Sequence, residues 1–453
     1  MASTYLSKTL GTATNSKIWT FSTWLKRSGL NSSQHIFSID NGSARDAFSF
    51  DSDNGLRFYL NDSAAGNADL STNRILRDTS AYYHLVLTVD TTQATQEDRI
   101  KLFINGTQYS WDETVIWTNT LNANTFNASG NTFRIGRDRT AANYFDGVLT
   151  HTHFTDGYAY DASTFGETDA TTGIWKPKTA PSVTYGTNGF FLKFENSGSM
   201  GLDSSPNGNN FTVNGTLTQT VDTPSNVYAT LNPLGSTVPP ATVAYTLSNG
   251  NTTAQYTDGS NANFTPATLA TMSGKWYAEC KVSADGSFGG DWPEIGVLYA
   301  DNIADIQQTN AGVHHTGVFV NTANIVANGN KYNFGTASAS YFAGFTNNDI
   351  ISMAMDCDTG KIWFGVNGTW INSGDPANGT GENATATTNK FLTFYSRWYQ
   401  PSTNTLIKWN FGNGYFGTTA VASAGSNGNG AIFEYDVPTG YYALNTKNIN
   451  TYG

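Results

Sequence analysis

The sequence predicts an all-β protein made of two β-sandwiches in tandem. Three observations carry this: a hairpin phrase that occurs once in each half, a length beyond one core, and a near absence of helical apolar spacing. In the first half, Tyr83-His84-Leu85-Val86-Leu87-Thr88-Val89-Asp90 leads to Leu102-Phe103-Ile104-Asn105-Gly106-Thr107. In the second, Ile350-Ile351-Ser352-Met353-Ala354-Met355-Asp356 leads to Ile362-Trp363-Phe364-Gly365-Val366-Asn367-Gly368-Thr369. Each is an alternating run closed by Asn-Gly, the pair that supplies two positive φ angles to a tight hairpin turn. At 453 residues the chain divides by default into two domains of roughly 200 residues, each large enough to fold without staples.

Composition narrows the classes of function. Aromatic residues make up 13% and charged residues only 13%, which describes a globular chain whose polarity comes from Gly, Asn, Thr and Ser, the residues of turns. The net charge of −11, with 24 Lys plus Arg against 35 Asp plus Glu, argues against a phosphate-binding surface, so no nucleic-acid partner is expected. No apolar window is long enough to span a bilayer, and Met1-Ala2-Ser3-Thr4-Tyr5-Leu6-Ser7-Lys8 lacks the apolar core of a signal peptide. A product made in the cytoplasm, without membrane insertion, is therefore expected. Cys280 and Cys357 lie inside apolar strand patterns and read as two buried free thiols. Asn-x-Ser/Thr triplets such as Asn251-Thr252-Thr253 read as turn chemistry.

The elements follow in order. Trp19-Thr20-Phe21-Ser22-Thr23-Trp24-Leu25 alternates with period two, and short strands follow at His35–Ile39, Ala47–Phe50, Leu56–Leu60, Phe133–Gly136 and Gly147–Leu149. Only Asp161-Ala162-Ser163-Thr164-Phe165-Gly166 suggests a helical turn. The Trp-Thr-Phe-Ser-Thr-Trp-Leu opening, the Phe-Ile-Asn-Gly turn, and Phe133-Arg134-Ile135-Gly136 leading to Phe145-Asp146-Gly147 together resemble a laminin-G-like, concanavalin-A-like jelly roll over residues 1–225. Asp203-Ser204-Ser205-Pro206-Asn207-Gly208-Asn209-Asn210-Phe211 resembles a segment that often opens such domains; here it comes last and is expected to supply a closing strand.

Prolines at Pro224, Pro233, Pro239 and Pro240 mark the boundary between domains. Beyond it, Gly274-Lys275-Trp276-Tyr277-Ala278-Glu279, Glu294-Ile295-Gly296-Val297, the Asp356–Phe364 hairpin and Trp409-Asn410-Phe411-Gly412 resemble a SPRY domain over residues 226–436, which implies a second concanavalin-A-like sandwich. Residues 437–453 form a tail, either a brace across that sandwich or an attachment segment. This pairing of domains, with the Asp222-Thr223-Pro224-Ser225-Asn226 link and the tail, resembles structural proteins of bacteriophage particles.

Glycan-cleaving members of such folds need two or three carboxylates projecting from one strand. Glu167-Thr168-Asp169 lacks the third acid, and Glu434-Tyr435-Asp436 runs into Val437-Pro438, so no catalytic residue is assigned. Asp51-Ser52-Asp53-Asn54-Gly55 and Asp356-Cys357-Asp358-Thr359-Gly360 begin like calcium loops but lack the terminal bidentate Glu. His151 and His153 share a strand face without a third ligand, His314-His315 stands alone, and no metal or other cofactor is expected. No nucleophile elbow or phosphate loop is present.

The candidate binding residues are aromatics beside turns: Trp292 in Gly289-Gly290-Asp291-Trp292-Pro293, and Trp398 and Tyr399 in Ser396-Arg397-Trp398-Tyr399-Gln400-Pro401. A loop ring stacks on a sugar face or anchors a protein partner. The expectation is a non-enzymatic virion surface protein, a fibre, tail-appendage or decoration subunit, that binds host-surface glycan and assembles with other virion proteins and with copies of itself. A purely structural module bracing the capsid or tail is the alternative, and a polysaccharide-degrading enzyme a third reading.

Overall fold

Apolar alternation becomes sheet in both halves of the chain. The computed structural model describes residues 4–62, 67–117, 120–235, 245–256, 262–284, 288, 293–302, 321–399 and 405–453. Among them strands dominate, and the two α-helices, Ala162–Phe165 and Thr446–Tyr452, have four and seven residues. The chain divides into two units, Met1–Gln219 and Thr220–Gly453.

In the first unit an eight-stranded and a six-stranded antiparallel sheet enclose the core. The six-stranded sheet runs Phe190–Leu192, Gly147–Asp156, Ile18–Arg27, Tyr83–Asp90, Ile100–Ile104, Thr107–Tyr109. Along Ile18–Arg27 the inward residues are Trp19, Phe21 and Leu25, all fully buried. Trp19 meets Phe154, Phe37 and Phe58 at ring separations of 5.6, 6.0 and 6.0 Å, and burying each such ring stabilises the fold by about 2–3 kcal/mol. The Asp203–Phe211 segment returns beneath this sandwich: Phe211 lies 4.7 Å from the Phe190 ring, and Thr212–Asn214 pairs with Tyr5–Ser7 as the edge strand of the larger sheet. The closing strand thus follows the Asp203–Phe211 segment, at Thr212–Asn214, and does not lie within it. Asp203 fixes the turn by accepting the Phe191, Ser205 and Asn209 N–H groups.

The second unit repeats the arrangement. A nine-stranded sheet contains Thr253–Tyr256, Thr405–Asn410, Lys275–Ala284, Ile350–Asp356, Lys361–Val366 and Thr369–Trp370 in that order, and a six-stranded sheet faces it. Trp276, Ala278, Cys280 and Val282 point inward, with both free cysteines buried. The central strand pairs of the two units agree register for register. Ile18 pairs with Asp90 as Lys275 pairs with Asp356, and Trp19 with Val89 as Trp276 with Met355. At the turns, Asn105 takes the His84 N–H on its side chain and gives its own N–H to the His84 carbonyl; Asn367 does the same with Ile350.

Both principal sheets are covered on their outer faces too. In the first unit Tyr160, Ala162, Phe165 and Trp175 pack over Val86 and Phe103. In the second, Ala431, Phe433, Val437, Tyr441 and Ala443 pack over Tyr277, Ala354 and Trp363. The tail is thus a brace: Tyr442–Ala443 pairs in parallel with Trp276 and Tyr277, and Asn445 caps the final helix by accepting the Asn448 N–H.

Each covering layer lays an aromatic ring on the glycine of an Asn-Gly turn. Gly106 has φ +83°, and a Cβ there would lie 3.1 Å from the Trp175 ring; Gly368 has φ +78°, and a Cβ would lie 2.7 Å from the Tyr435 ring. Gly430, at φ +90° with open space around it, separates strain from collision. Gly368→Ala is expected to lower stability by about 1–3 kcal/mol in chemical denaturation, clearly more than Gly430→Ala; equal losses would contradict the stacked ring.

Candidate functional site

The site begins with the strand period. On the outer face of the nine-stranded sheet, alternation places Tyr277 and Glu279 on one strand, Ser352 and Ala354 on the next, and Trp363 and Gly365 on the third. The Asn367-Gly368 turn then brings Trp370 back alongside Gly365. The covering segment packs on Tyr277, Ala354 and Trp363 and is bonded to Glu279. Between them lies a cleft of about 370 Å³, lined by Tyr277, Ser352, Gly365, Gly368 and Trp370 on the sheet side and by Ser423, Ala424, Gly425, Glu434, Tyr435 and Asp436 on the other. Gly365 keeps it open, because a Cβ there would stand 3.3 Å from the Trp370 ring and 3.5 Å from the Ser352 Cβ.

Glu279 holds the covering segment in place. It is fully buried; its Oε2 accepts the Glu434 N–H at 2.8 Å and its Oε1 the Tyr435 N–H at 2.9 Å. The Tyr277 hydroxyl lies 2.8 Å from the same Oε1 and 3.1 Å from the Ser352 Oγ. Burial pushes the Glu279 carboxyl up to about 7, against the opposing pull of those N–H and hydroxyl contacts. Two further acids shape the far wall. Glu434 accepts the Ala422 N–H at 2.7 Å and Asp436 the Ser426 N–H at 2.7 Å, and the Ser426 backbone and side-chain bonds hold Asp436 below the usual carboxylate range. The lining contains no basic side chain. The cleft therefore offers two ring faces, hydroxyls and carboxylate oxygens, which together suit a ligand with an apolar face and many O–H donors.

The aromatics singled out in the sequence do not form this site. Trp292 lies outside the described residues. Trp398 is not on a loop: the Leu392–Tyr399 strand continues through it, paired with Ala262–Pro266, and its fully buried ring meets Phe288 edge-on at 5.5 Å. This corrects the expectation that it meets a ligand, because alternation with Phe394 turns it into the core. Tyr399 ends the same strand, and its side chain lies outside the described residues. The cleft residues were hidden in the sequence because Tyr277, Ser352 and Trp370 look like ordinary strand positions; only Glu279, a charge inside an apolar strand, was a signal.

Elsewhere the chemistry-bearing groups are structural. Ser22 Oγ lies 2.9 Å from His84 Nε2, which resembles a nucleophile and its base. The Trp175 indole N–H, however, donates to His84 Nδ1 at 3.0 Å, which leaves the imidazole proton on Nε2, facing Ser22. A histidine in that tautomer cannot take the serine proton, and burial drives its protonation down to about 3. His153 stacks on Phe191 at 3.8 Å, and His151 sits in an irregularity of the same strand with φ +47°; His314 and His315 lie outside the described residues. Asp169 accepts the Thr171 and Thr172 N–H groups of its own turn, as Asp356 does those of Asp358 and Thr359. No group of three or more metal-ligating side chains occurs among the described residues.

Comparison with known proteins places the first unit. Residues 2–163 match a laminin G family model described as the concanavalin A-like lectin/glucanases superfamily. No curated protein matches the chain. Among solved structures, the SPRY domain of human HERC1 is similar at 16% identity and a TM-score of 0.28, covering 40% of this chain and 96% of that one. A native heptameric SAP-like pentraxin from Limulus polyphemus is similar at 14% identity and a TM-score of 0.28, with coverages of 39% and 86%. The TRIM65 PSpry domain stands at 13% and 0.28, with coverages of 40% and 89%.

The Glu279 carboxyl binds its proton more tightly in the folded chain than at its ordinary value of 4.5. Between that value and about 7 the folded state carries a proton the unfolded state has lost, so stability falls as pH rises across the window and levels off above it. Asp46, buried in the first unit and also raised to about 7, adds the same slope, so the readout is a difference. The stability of the wild type relative to Glu279→Gln is expected to drop by roughly 2–3 kcal/mol between pH 5 and pH 8 in urea unfolding; a constant difference would place the proton elsewhere.

Proposed function

We propose that this chain is a non-enzymatic carbohydrate-binding protein whose second unit holds a saccharide in the cleft, and that it serves on the surface of a bacteriophage virion, as a fibre, tail-appendage or decoration subunit engaging host-surface glycan. The observation that carries the binding role is the cleft itself. Trp370 and Tyr435 line it together with the Ser352 and Tyr277 hydroxyls and the Glu434 and Asp436 carboxylates. A pyranose presents the complement, an apolar C–H face and a rim of hydroxyl donors. Binding rather than cleavage is supported by the way the acids are used: Glu279 is engaged by two backbone N–H groups, and Glu434 and Asp436 each hold a turn of the covering segment. The lectin-like fold matched by residues 2–163 supports the same class of role.

The virion setting rests on the pairing of domain types in the sequence, together with the Asp222–Asn226 link and the tail. Weak single-site affinity for a sugar gains avidity when many copies stand on one particle. A structural role, bracing other virion subunits, is favoured by one feature. The Thr212–Asn214 strand ends the eight-stranded sheet with exposed Val213, an edge to which a partner strand can add.

Recombinant protein is expected to retain glycans on an array of neutral oligosaccharides, and Trp370→Ala to weaken that retention by about fivefold to tenfold, the loss of one ring contact, with an unchanged circular dichroism spectrum. Retention unaffected by Trp370→Ala would remove the cleft from the role. Quantitative mass spectrometry of purified particles tests the setting; absence of the chain from them would refute it.

A further inference from the structure

We propose that Glu279, acting through Tyr277, sets whether Ser352 offers the floor of the cleft a proton donor or a lone pair. The inference rests on the cleft being a binding site and makes Glu279 a positioning residue that determines which ligand atoms the floor accepts. It follows from counting hydrogens along a three-residue chain. Tyr277 Oη lies within hydrogen-bond distance of both Glu279 Oε1 and Ser352 Oγ, at 2.8 and 3.1 Å, yet a phenol has one hydrogen to give. With Glu279 ionised, that hydrogen goes to the carboxylate, and the second contact is made by the Ser352 hydrogen turned toward Tyr277. Ser352 Oγ then presents only lone pairs to the cleft. With Glu279 protonated on Oε1, the acid donates to Tyr277, Tyr277 donates to Ser352, and the Ser352 hydrogen is left to point into the cleft. One proton on a fully buried acid thereby reverses the polarity of a hydroxyl on the cleft floor without moving a heavy atom.

The surroundings favour a change of state near neutral pH. Glu279 is raised to about 7 by burial, and the Glu434 charge adds to the rise. The titratable groups around it are Tyr277 and Lys281 on the same face of its own strand, Lys408 opposite Lys281 on the neighbouring strand, and Glu434 and Tyr435 from the covering segment; Cys280 on the same strand faces the inner core. The Glu434 and Tyr435 N–H groups and the Tyr277 hydroxyl favour the ionised form, and burial outweighs them. The Glu434 and Tyr435 N–H bonds accompany both states, which lets the proton come and go while the covering segment stays seated.

Selective carbon-13 labelling of Glu carboxyl and Ser Cβ positions in the full chain reads the relay without a ligand. The Ser352 Cβ shift is expected to titrate with the same midpoint as Glu279, near pH 7 in the wild type. It should become flat in Tyr277→Phe, where Glu279 still titrates, and flat in Glu279→Gln. A Ser352 shift that ignores Glu279 in the wild type, or that still follows it in Tyr277→Phe, would overturn the proposal. A neutral-oligosaccharide array run at pH 6 and pH 8 reads the consequence: the retained set is expected to differ between the two in the wild type and to coincide in Tyr277→Phe. Identical wild-type sets at both pH values would also overturn the proposal. An array that retains nothing at either pH would refute the saccharide reading instead, and the carbon shifts would still decide the relay.

Discussion

The structure depends on one constraint: the centre of each principal sheet is buried on both faces, so the polar side chains at that centre must find partners inside a second, thin layer. An ordinary sandwich strand answers to one core and lets its other face meet water. Here Tyr277, Ser352 and Glu279 in one unit, and Ser22 and His84 in the other, lie under chain that excludes solvent. Burying an unpaired carboxylate or imidazole costs several kcal/mol, and each is accordingly tied down, Glu279 by the Glu434 and Tyr435 backbone, His84 by Trp175 and Ser22. The cleft lies between this polar row and the covering segment, with Gly365 and Gly368 on one wall and Gly425 on the other.

The two units share a scaffold and diverge in what they mount on it. Their central strands pair in the same register from Ile18 and Lys275 onward, and in both the next strand is reached by a hairpin whose far end turns on Asn-Gly. At the matching outer position the first unit carries Ser22 and the second Glu279. A small hydroxyl beside a neutral imidazole leaves the first site filled by the Trp175 ring, whereas a carboxyl bonded to the covering segment accompanies a cleft beside Trp370. The same register thus supports a sealed layer in one case and a recess in the other.

Much of this architecture was legible in the sequence because it is written in local terms. Period-two runs gave the strands, Asn-Gly gave the turns, and Asp161–Gly166 gave the first short helix. The order of motifs gave the concanavalin-A-like first unit. What the sequence did not reveal is which face of a strand receives a second cover, because that cover arrives from residues far away in the chain: 158–185 for one sheet and 421–445 for the other. Trp398 shows the same limit from the other side. Its neighbours Arg397 and Pro401 look like a loop, yet pairing with Ala262–Pro266 carries the alternation past Arg397 and turns the ring inward. Tyr277 and Ser352, lying 75 positions apart, become neighbours only through strand pairing, and no local pattern announces it.

The edge pairing of Tyr5–Ser7 with Thr212–Asn214 bears on how the first unit is made. Ser7 and Asn214 touch across 207 positions, so the eight-stranded sheet gains its last strand only when nearly the whole unit has left the ribosome. Contacts of such high sequence separation slow folding, because the entropy of closing the loop is lost before the contact rewards it. Until then Tyr5–Ser7 waits with one edge of backbone unpaired, open to a strand from a neighbouring nascent chain. Crowded synthesis of many copies in one cell therefore sets this segment the choice between its own distant partner and a stranger's.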